Sequence, residues 1–574
     1  MHFSPRPNRA HEIRWSPWSE DAFERARREN KPILLAISAV WCHWCHVMDE
    51  TSYSDDAVIS AINDRYVPVR VDNDQRPDVN ARYNQGGWPT TAFLTPDGAL
   101  LAGATYLPPG QMRQALDQID QFYHTNREQI EERASQLRSR PRNAAAADAA
   151  GLREDIVTNV LEHIEQSYDE EYGGFGDAPK FPMIDALELL LQEYRITHEQ
   201  RLYDMVAKSI LGMSDGGMYD HVEGGFFRYS TTRDWSVPHF EKMSEDHAGL
   251  LRVLAQLVRI TRNDRFRQTI NSAIGYVRAV LRDPQTGFFA GSQDADEAYY
   301  ELPLEERRTM QAPFVDRRVY ANWTAGLAGS LVLAGDALED DRVIDEGMAA
   351  LDALHDRLRD DAGLLYHFLD RTPGARPQVR GLLTDQAAYL RALLDAHEYT
   401  GEPRFLDRAR VLLAPVREHF AAPDGGFYDH AAFEAALGNL PLRERPLPEN
   451  ALLADCFMRL YAIDGDEQLR AIAERTLLTY ARTYERAGIF AAPFARAVRR
   501  YLSPAAHVKL AGSPQQTVEL RETAHALPDP LLVVYTTGPD GATAAYFCRG
   551  TVCAAPAKTP AELRDAFESL REHV

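Results

Sequence analysis

The sequence predicts a multidomain chain: a small α/β domain, then a large all-α toroid of six helical hairpins, (α/α)6, then a small α/β cap. Three observations predict it. The first 110 residues read as strand, helix, strand and then a hairpin, with the pattern closed by a further helix. From about residue 150 to 500 helical periodicity dominates, and a Gly followed by apolar or aromatic residues recurs six times. Finally, 574 residues exceed one ordinary core at roughly 150 residues per domain. The expected boundaries are 1–140, 150–503 and 504–574, with residues 138–150, rich in Arg and Ala, as a linker.

In the first domain Asp21 to Asn30 is expected as a helix, Lys31 to Ser38 as a buried strand and Cys45 to Tyr66 as one helix. Val67 to Asp72 follows as a strand. Thr90 to Thr95 and Ala99 to Tyr106 pair around a Pro96-Asp97-Gly98 turn, and a helix runs from about Gly110 to Leu137. Cys42-His43-Trp44-Cys45 stands where the first strand enters its helix. Backbone N–H groups and the positive end of the helix dipole favour a thiolate there, so Cys42 is the expected nucleophile and Cys45 the resolving thiol. His43 is expected as a nearby cation. Pro89, in Gly86-Gly87-Trp88-Pro89 before the third strand, fits the cis-proline turn that faces the dithiol in thioredoxin-like folds. Two rival readings of the cysteines are weaker. Cys-x-x-Cys-His also describes a haem attachment site, which requires an exported chain, and His43 and His46 on one helix do not converge with both cysteines on a zinc ion. No cofactor and no metal are expected.

The recurring turns are Gly174-Phe175, Gly217-Met218-Tyr219, Gly287-Phe288-Phe289, Gly363-Leu364-Leu365-Tyr366, Gly426-Phe427-Tyr428 and Gly488-Ile489-Phe490. Each interval holds two helices, and the Gly is expected to end a helix in a left-handed cap. A closed ring of six such hairpins leaves a funnel at one end, lined by loops. The densest polar stretch, from Gly216 to His247, supplies the expected pocket: Asp220, His221, Arg228, Tyr229, Trp235, His239, Glu241, Lys242 and Asp246. Asp294 and Asp296 add two carboxylates, and Trp323 and Asp385 stand at later helix starts. Carboxylates, aromatics and a few cations are what sugar hydroxyls and ring faces require. The competing reading is a salt-bridged loop that braces the toroid.

Composition limits the partners. Lys and Arg number 63 against 85 Asp and Glu, a net charge of −22, and such a field repels a phosphate backbone. Nucleic acid is therefore not expected, nor is a membrane span, since no apolar run approaches ~20 residues. The N-terminus lacks an apolar export segment, so the cytoplasm is the expected location. Five cysteines are too few for a disulfide scaffold, which leaves the spaced pairs Cys42/Cys45 and Cys548/Cys553 for other chemistry. Cys456 is expected in the core. In the cap, Leu531 to Tyr535 and Ala544 to Phe547 read as strands and a helix starts at Pro560. Cys548 and Cys553 read as inert buried thiols before a pair that exchanges disulfides with Cys42 and Cys45.

At Cys42-His-Trp-Cys-His-Val-Met48, Gln85-Gly-Gly-Trp-Pro89, Ala178-Pro-Lys-Phe-Pro182, Gly217-Met-Tyr-Asp-His221, Gly224-Gly-Phe-Phe-Arg-Tyr-Ser230, Pro238-His-Phe-Glu-Lys-Met243 and Asp294-Ala-Asp296, the chain resembles a known thioredoxin-domain family. It is the family of bacterial YyaL-type proteins and spermatogenesis-associated protein 20. The resemblance implies a thioredoxin-like domain joined to a toroid similar to six-hairpin glycosidases and N-acylglucosamine 2-epimerase. Two departures stand out: Asn322-Trp-Thr-Ala-Gly326 replaces the family's Ser-Trp-Asn-Gly, and Ser244-Glu-Asp-His247 replaces its Leu-Tyr-Asp-Asn.

Three functions follow as expectations. The first is a thiol–disulfide oxidoreductase whose toroid binds a sugar or glycoconjugate, with a thiol–disulfide partner. The second is a carbohydrate-active enzyme of the toroid, either a hydrolase using two of Asp220, Glu241, Asp246, Asp294 and Asp296, or an epimerase pairing His239 with His247 or His430 as bases. The third is a non-catalytic binding scaffold.

Overall fold

In the computed structural model, which describes residues 1–130, 132, 151–432, 437–538 and 543–571, the chain divides into two compact units. The first is Met1–Ala147 with Asp429–Glu444. The second is Asp148–Tyr428 with Arg445–Val574. The expected linker at 138–150 and the end of the expected helix to Leu137 lie outside the described residues.

The first unit is built on a four-stranded sheet of order β2-β1-β3-β4, from β1 (Ile33–Ser38), β2 (Val67–Asp72), β3 (Thr90–Leu94) and β4 (Leu100–Ala104). β1 pairs in parallel with β2 and antiparallel with β3, which pairs antiparallel with β4. β1 is buried along its whole length, as its apolar run Ile-Leu-Leu-Ala-Ile requires of a central strand. Helices α1 (Glu20–Glu29), α2 (His43–Glu50), α3 (Asp56–Arg65), α4 (Pro77–Tyr83) and α5 (Pro109–Thr125) complete it. Two apolar cores cover the two faces of the sheet: Phe23, Val69, Val79 and Tyr83 on one, Met48, Ile62, Phe93 and Met112 on the other. The single helix expected from Cys45 to Tyr66 is two. Thr51 leaves helical geometry, and the Asp55 carboxylate caps α3 by accepting the N–H groups of Ala57 and Val58.

Among the described residues the second unit carries twelve principal helices. Six form an inner ring: α7 (Ile184–Thr197), α9 (Ser244–Thr261), α11 (Ala321–Leu338), α13 (Leu383–Thr400), α15 (Leu447–Asp464) and α17 (Ala492–Leu502). Each packs on the next, and α17 returns to α7, so the ring is closed. Outside lie α6 (Asp155–Ser167), α8 (Gln200–Asp215), α10 (Asp264–Tyr276), α12 (Asp341–Arg357), α14 (Pro403–Phe420) and α16 (Glu467–Leu478). α8, α10, α12, α14 and α16 each pack on the inner helix that precedes them, and α6 closes the circle against α17. Burial explains the division. α11 hides Leu327, Leu331, Val332 and Leu333 and also its small residues Ala325, Ala328 and Gly329, so it is covered on nearly every side. α12 buries one stripe through Val343, Gly347, Ala350, Leu351 and Leu354, with Glu346 buried beside it in an ion pair with Arg278. This is the (α/α)6 toroid.

The recurring turns are small β-bridged loops between an outer helix and the next inner one: Tyr168 with Phe175, Tyr219 with Phe226, Arg282 with Phe289, Arg359 with Leu365 and Ala421 with Phe427. The second copy is therefore Gly225-Phe226 and not Gly217-Met218. Gly225 has φ +84°, matching Gly174 at +75°, whereas Gly217 is not left-handed. The last copy, Gly488, lies in a 3-10 segment, Tyr484–Ala491, and makes no such bridge.

The C-terminal part of the second unit holds a four-stranded sheet from β7 (Ala506–Ala511), β8 (Val533–Thr536), β9 (Ala544–Arg549) and β10 (Val552–Cys553), with α18 (Val518–Ala526) and α19 (Pro560–Arg571) packed on it. None of the described helices is long and apolar enough to cross a membrane.

Candidate functional site

Two sites emerge, one in each unit. In the first, Cys42 is the N-cap of α2, and its Sγ accepts the Cys45 N–H at 3.2 Å. The same two residues are joined as a disulfide. The helix N-terminus thus points an N–H at the sulfur that would carry charge after reduction, which stabilises a thiolate. Both cysteines are buried, Cys42 at 5% and Cys45 at 2% exposure, so the two differ little in access. Trp44, between them, is half exposed and packs on Tyr106 at 5.2 Å. Trp41 donates to Asp74 Oδ2 at 2.8 Å and meets Trp88 edge-on at 5.6 Å. The Trp88–Pro89 peptide is cis, as expected at this position. Burial pushes the His46 imidazole down to about 4, so it is neutral at pH 7 and contributes no positive charge to the dithiol.

In the second unit the candidate residues divide into two groups. One group braces the loops. Lys242 is fully buried and donates to Asp220 Oδ2 at 2.7 Å and to the Gly224 carbonyl at 2.8 Å, while Arg307 takes the same carboxylate at 2.8 Å. The preceding turn repeats the arrangement, with Lys180 on Asp169 at 2.6 Å and on the Gly173 carbonyl at 2.7 Å. In both turns the acid's other oxygen accepts two turn N–H groups. Trp235 is buried, donates to the Tyr172 carbonyl and presses on Gly174, where an added Cβ would meet the indole at 2.3 Å. Asp220, Lys242 and Trp235 therefore belong to the scaffold, the competing reading of this stretch. His221 is exposed, with Nε2 3.1 Å from the Gly216 carbonyl. Asp296 caps the helix Glu297–Tyr300, and buried Asp294 accepts the Ala295 N–H. Asp385 is fully buried between His367 Nδ1, at 2.9 Å, and the Asn322 N–H. Trp323 packs on Tyr320 at 4.8 Å.

The other group converges. β5 (Tyr229–Ser230) pairs with β6 (Pro238–His239), which sets Tyr229 against His239, rings 4.9 Å apart and 15° from parallel. Phe181, 39% exposed, continues the stack on Tyr229 at 4.7 Å. His239 Nδ1 is hydrogen-bonded to the buried Glu241 carboxylate, and the Arg228 N–H donates to the Glu241 carbonyl. Arg228 also acts electrostatically on Glu245 and Asp246 in the first turn of α9, and Glu245 acts on Asp185 in the first turn of α7. Asp185 and Glu245 keep solvent access, yet desolvation raises both carboxyls above their usual range. Both carboxyls thus reach solvent while protein crowds them closely enough to disfavour their charge. Asp246 is pushed up to about 8, first by burial and then by Glu245 and Glu241, against the opposing pull of Arg228. Its Oδ2 is buried without a hydrogen-bond partner, as is Asn322 Oδ1 at the start of α11. Beneath, Glu188 is held down to about 2 because Arg391 and Arg496 outweigh its burial.

Of the sequence candidates, Arg228, Tyr229, His239, Glu241 and Asp246 come together. Asp185, Glu245 and Phe181 were missed; the signal available was that Asp185 and Glu245 stand in the first turns of consecutive inner helices. The imidazoles proposed as partners of His239 are both engaged. His247 is fully buried, accepts the Phe226 N–H on Nε2 and is held neutral, down to about 4, by burial. His430 belongs to the first unit, where its two nitrogens meet the Ala431 and Leu440 carbonyls. Among the described residues no group of three or more His, Cys, Asp or Glu is placed to hold a metal ion.

Residues 6–140 match the family model Thioredox_DsbH, described as a protein of unknown function, DUF255. Spermatogenesis-associated protein 20 of Homo sapiens is 25% identical over 96% of this chain and 89% of its own length. Uncharacterized protein B0495.5 of Caenorhabditis elegans is 34% identical over half of this chain, a match that spans 41% of that protein. Among solved structures, cellobiose 2-epimerase from Spirochaeta thermophila aligns with a TM-score of 0.49 at 13% identity, covering 61% of this chain and 95% of that one. The N-terminal unit thus carries a thioredoxin-like Thioredox_DsbH domain, and the chain resembles, over nearly its whole length, the spermatogenesis-associated protein 20 family that its motifs lead one to expect.

Proposed function

We propose that the chain is a thiol–disulfide oxidoreductase whose exchange centre is Cys42–Cys45. The observation that carries this reading is the N-cap position of Cys42, with the Cys45 N–H aimed at its sulfur. In the reduced state the Cys42 thiolate attacks a partner disulfide and forms a mixed disulfide, and Cys45 resolves it, leaving Cys42–Cys45 oxidised and the partner reduced. Exposed Trp44 and the Trp88–Pro89 turn frame the approach of the partner. Reduction of a model disulfide by the dithiothreitol-recharged protein tests this, with loss of turnover expected in Cys42→Ser.

A second reading, a carbohydrate site in the toroid, is favoured by the cluster of Asp185, Glu245 and Asp246 in the first turns of α7 and α9. An acid that stays protonated near neutrality, Asp246, lies in the field of a carboxylate bound to His239, and the Phe181–Tyr229 stack offers a flat apolar face. Acid, base and ring platform are the parts that binding or protonating a sugar oxygen demands. Melting temperatures across a panel of mono- and disaccharides test it, since a ligand at a hundredfold its Kd stabilises by about 2.7 kcal/mol.

A further inference from the structure

The C-terminal sheet repeats the topology of the first one. Its order, β8-β7-β9-β10, matches β2-β1-β3-β4 strand for strand. β7 pairs in parallel with β8 and antiparallel with β9, and β9 pairs antiparallel with β10. α18 fills the crossover from β7 to β8, as α2 and α3 fill that from β1 to β2, and α19 follows the last strand as α5 does. Where the first sheet has its dithiol, at the exit of the leading strand, this one reads Gly512-Ser513-Pro514-Gln515-Gln516. Its cysteines stand elsewhere. Cys548 on β9 and Cys553 on β10 are directly opposite in register and disulfide-bonded.

The expectation of inert buried thiols therefore fails on two counts: the cysteines are paired, and Cys553 is exposed on a two-residue edge strand beside Val552, itself 55% exposed. Cys548 is buried at 6%. On its other side the residue directly opposite is His507 of β7. Residues opposite in register share a face, so Cys553, Cys548 and His507 form one row across three strands. That face is the reverse of the one carrying Val508, Leu510, Ala545 and Phe547 into the core with α18 and α19. The disulfide thus joins an exposed cysteine on the edge strand to a buried one, whose register partner His507 turns its ring onto Tyr535 at 5.6 Å.

We propose that Cys548–Cys553 is a second thiol–disulfide exchange site, which accepts two electrons from a protein dithiol through its exposed cysteine, Cys553. The dithiol's thiolate attacks Cys553 Sγ, the S–S bond breaks, and Cys548 leaves as a thiolate. The second thiol of the dithiol then attacks the mixed disulfide and releases the Cys553 thiolate. The dithiol ends as a disulfide, and Cys548 and Cys553 end reduced, each taking up one of the two protons released. The site is distinct from Cys42–Cys45 and its chemistry does not depend on that centre.

The test uses the full chain with Cys42→Ser and Cys45→Ser, oxidised and folded. Cys456 stays silent to alkylation, because burial pushes its thiol up to about 12. Dithiothreitol is added without denaturant, and alkylated peptides are counted by mass spectrometry. The expected result is reduction at a rate proportional to dithiothreitol, with the mixed disulfide trapped by 2-mercaptoethanol mapping to Cys553. A disulfide that stays closed until denaturant is added, or an adduct on Cys548, overturns the proposal.

Discussion

Asp246→Asn isolates the feature on which the toroid site depends. The Asp246 carboxyl is raised from 3.8 to about 8, chiefly by burial. In the unfolded chain it ionises above about pH 4, whereas in the folded chain it keeps its proton to about pH 8. Between these values folding takes up a proton, so wild-type stability from this group is fully present below about pH 4 and is lost as pH rises toward 8. A difference of roughly four pH units at about 1.4 kcal/mol each sets an upper bound of ~6 kcal/mol. Asp246 is only half-buried, and its solvent contact reduces this to about half, ~2–3 kcal/mol. Asn cannot ionise, so the variant escapes the loss. Its stability relative to wild type is expected to be near zero at pH 4.5 and to grow to ~2–3 kcal/mol in its favour at pH 8. Urea unfolding followed by tryptophan fluorescence at pH 4.5, 6, 7 and 8 measures the gap, and the other titrating groups cancel in the difference. A gap that does not change with pH, or a variant less stable at pH 8, refutes the reasoning, because Asp246 would then be ionised in the native state.

Other outcomes follow from the same geometry. Lys242→Met strands the buried Asp220 carboxylate with Arg307 alone and is expected to cost ~3–5 kcal/mol in thermal unfolding, against a near-neutral change if Lys242 is a ligand group rather than a brace. Gly225→Ala forces a left-handed residue and drives a Cβ to 2.6 Å from the Tyr276 ring, so a loss above ~2 kcal/mol is expected where the neighbouring exposed Val222→Ala costs under ~0.5. Phe181→Ala is expected to leave the melting temperature nearly unchanged and to weaken any saccharide found in the panel by about 1 kcal/mol in calorimetry; unchanged affinity removes the stack from the site.

How much of this was legible in the sequence depends on how local each signal is. Cys42 at a helix start and Pro89 before a strand are fixed by a few neighbouring residues, and both were read from them. The helix through Cys45 to Tyr66 was read as one because the Asp55 cap looks, in periodicity alone, like another polar position on the helix face. Gly217 and Gly225 both precede aromatics, and only the φ angle and the Tyr219–Phe226 bridge pick out Gly225. Asp220 and Lys242 carry the residue types of a ligand site, and nothing in the sequence reports that they bury each other. Asp185 and Glu245 are sixty residues apart and meet only because α7 and α9 are neighbours in a closed ring. His430 reads as a toroid residue by position, but segment 429–444 folds with the first unit, where Leu440 enters the core beside Trp18 and Tyr83. The repeat of the first sheet's topology at the C-terminus was invisible because the dithiol that would announce it is absent from the corresponding position.

The measurement that tests the central claim most directly is capture of the mixed disulfide. Cys45→Ser, reduced and then exposed to a disulfide-bonded peptide, is expected to accumulate a covalent adduct that maps to Cys42, because the attacking thiolate remains and the resolving thiol is gone. Cys42→Ser under the same conditions is expected to accumulate none. An adduct on Cys45 in Cys42→Ser, or none on Cys42 in Cys45→Ser, would contradict the assignment of Cys42 as the attacking sulfur and with it the proposed exchange chemistry.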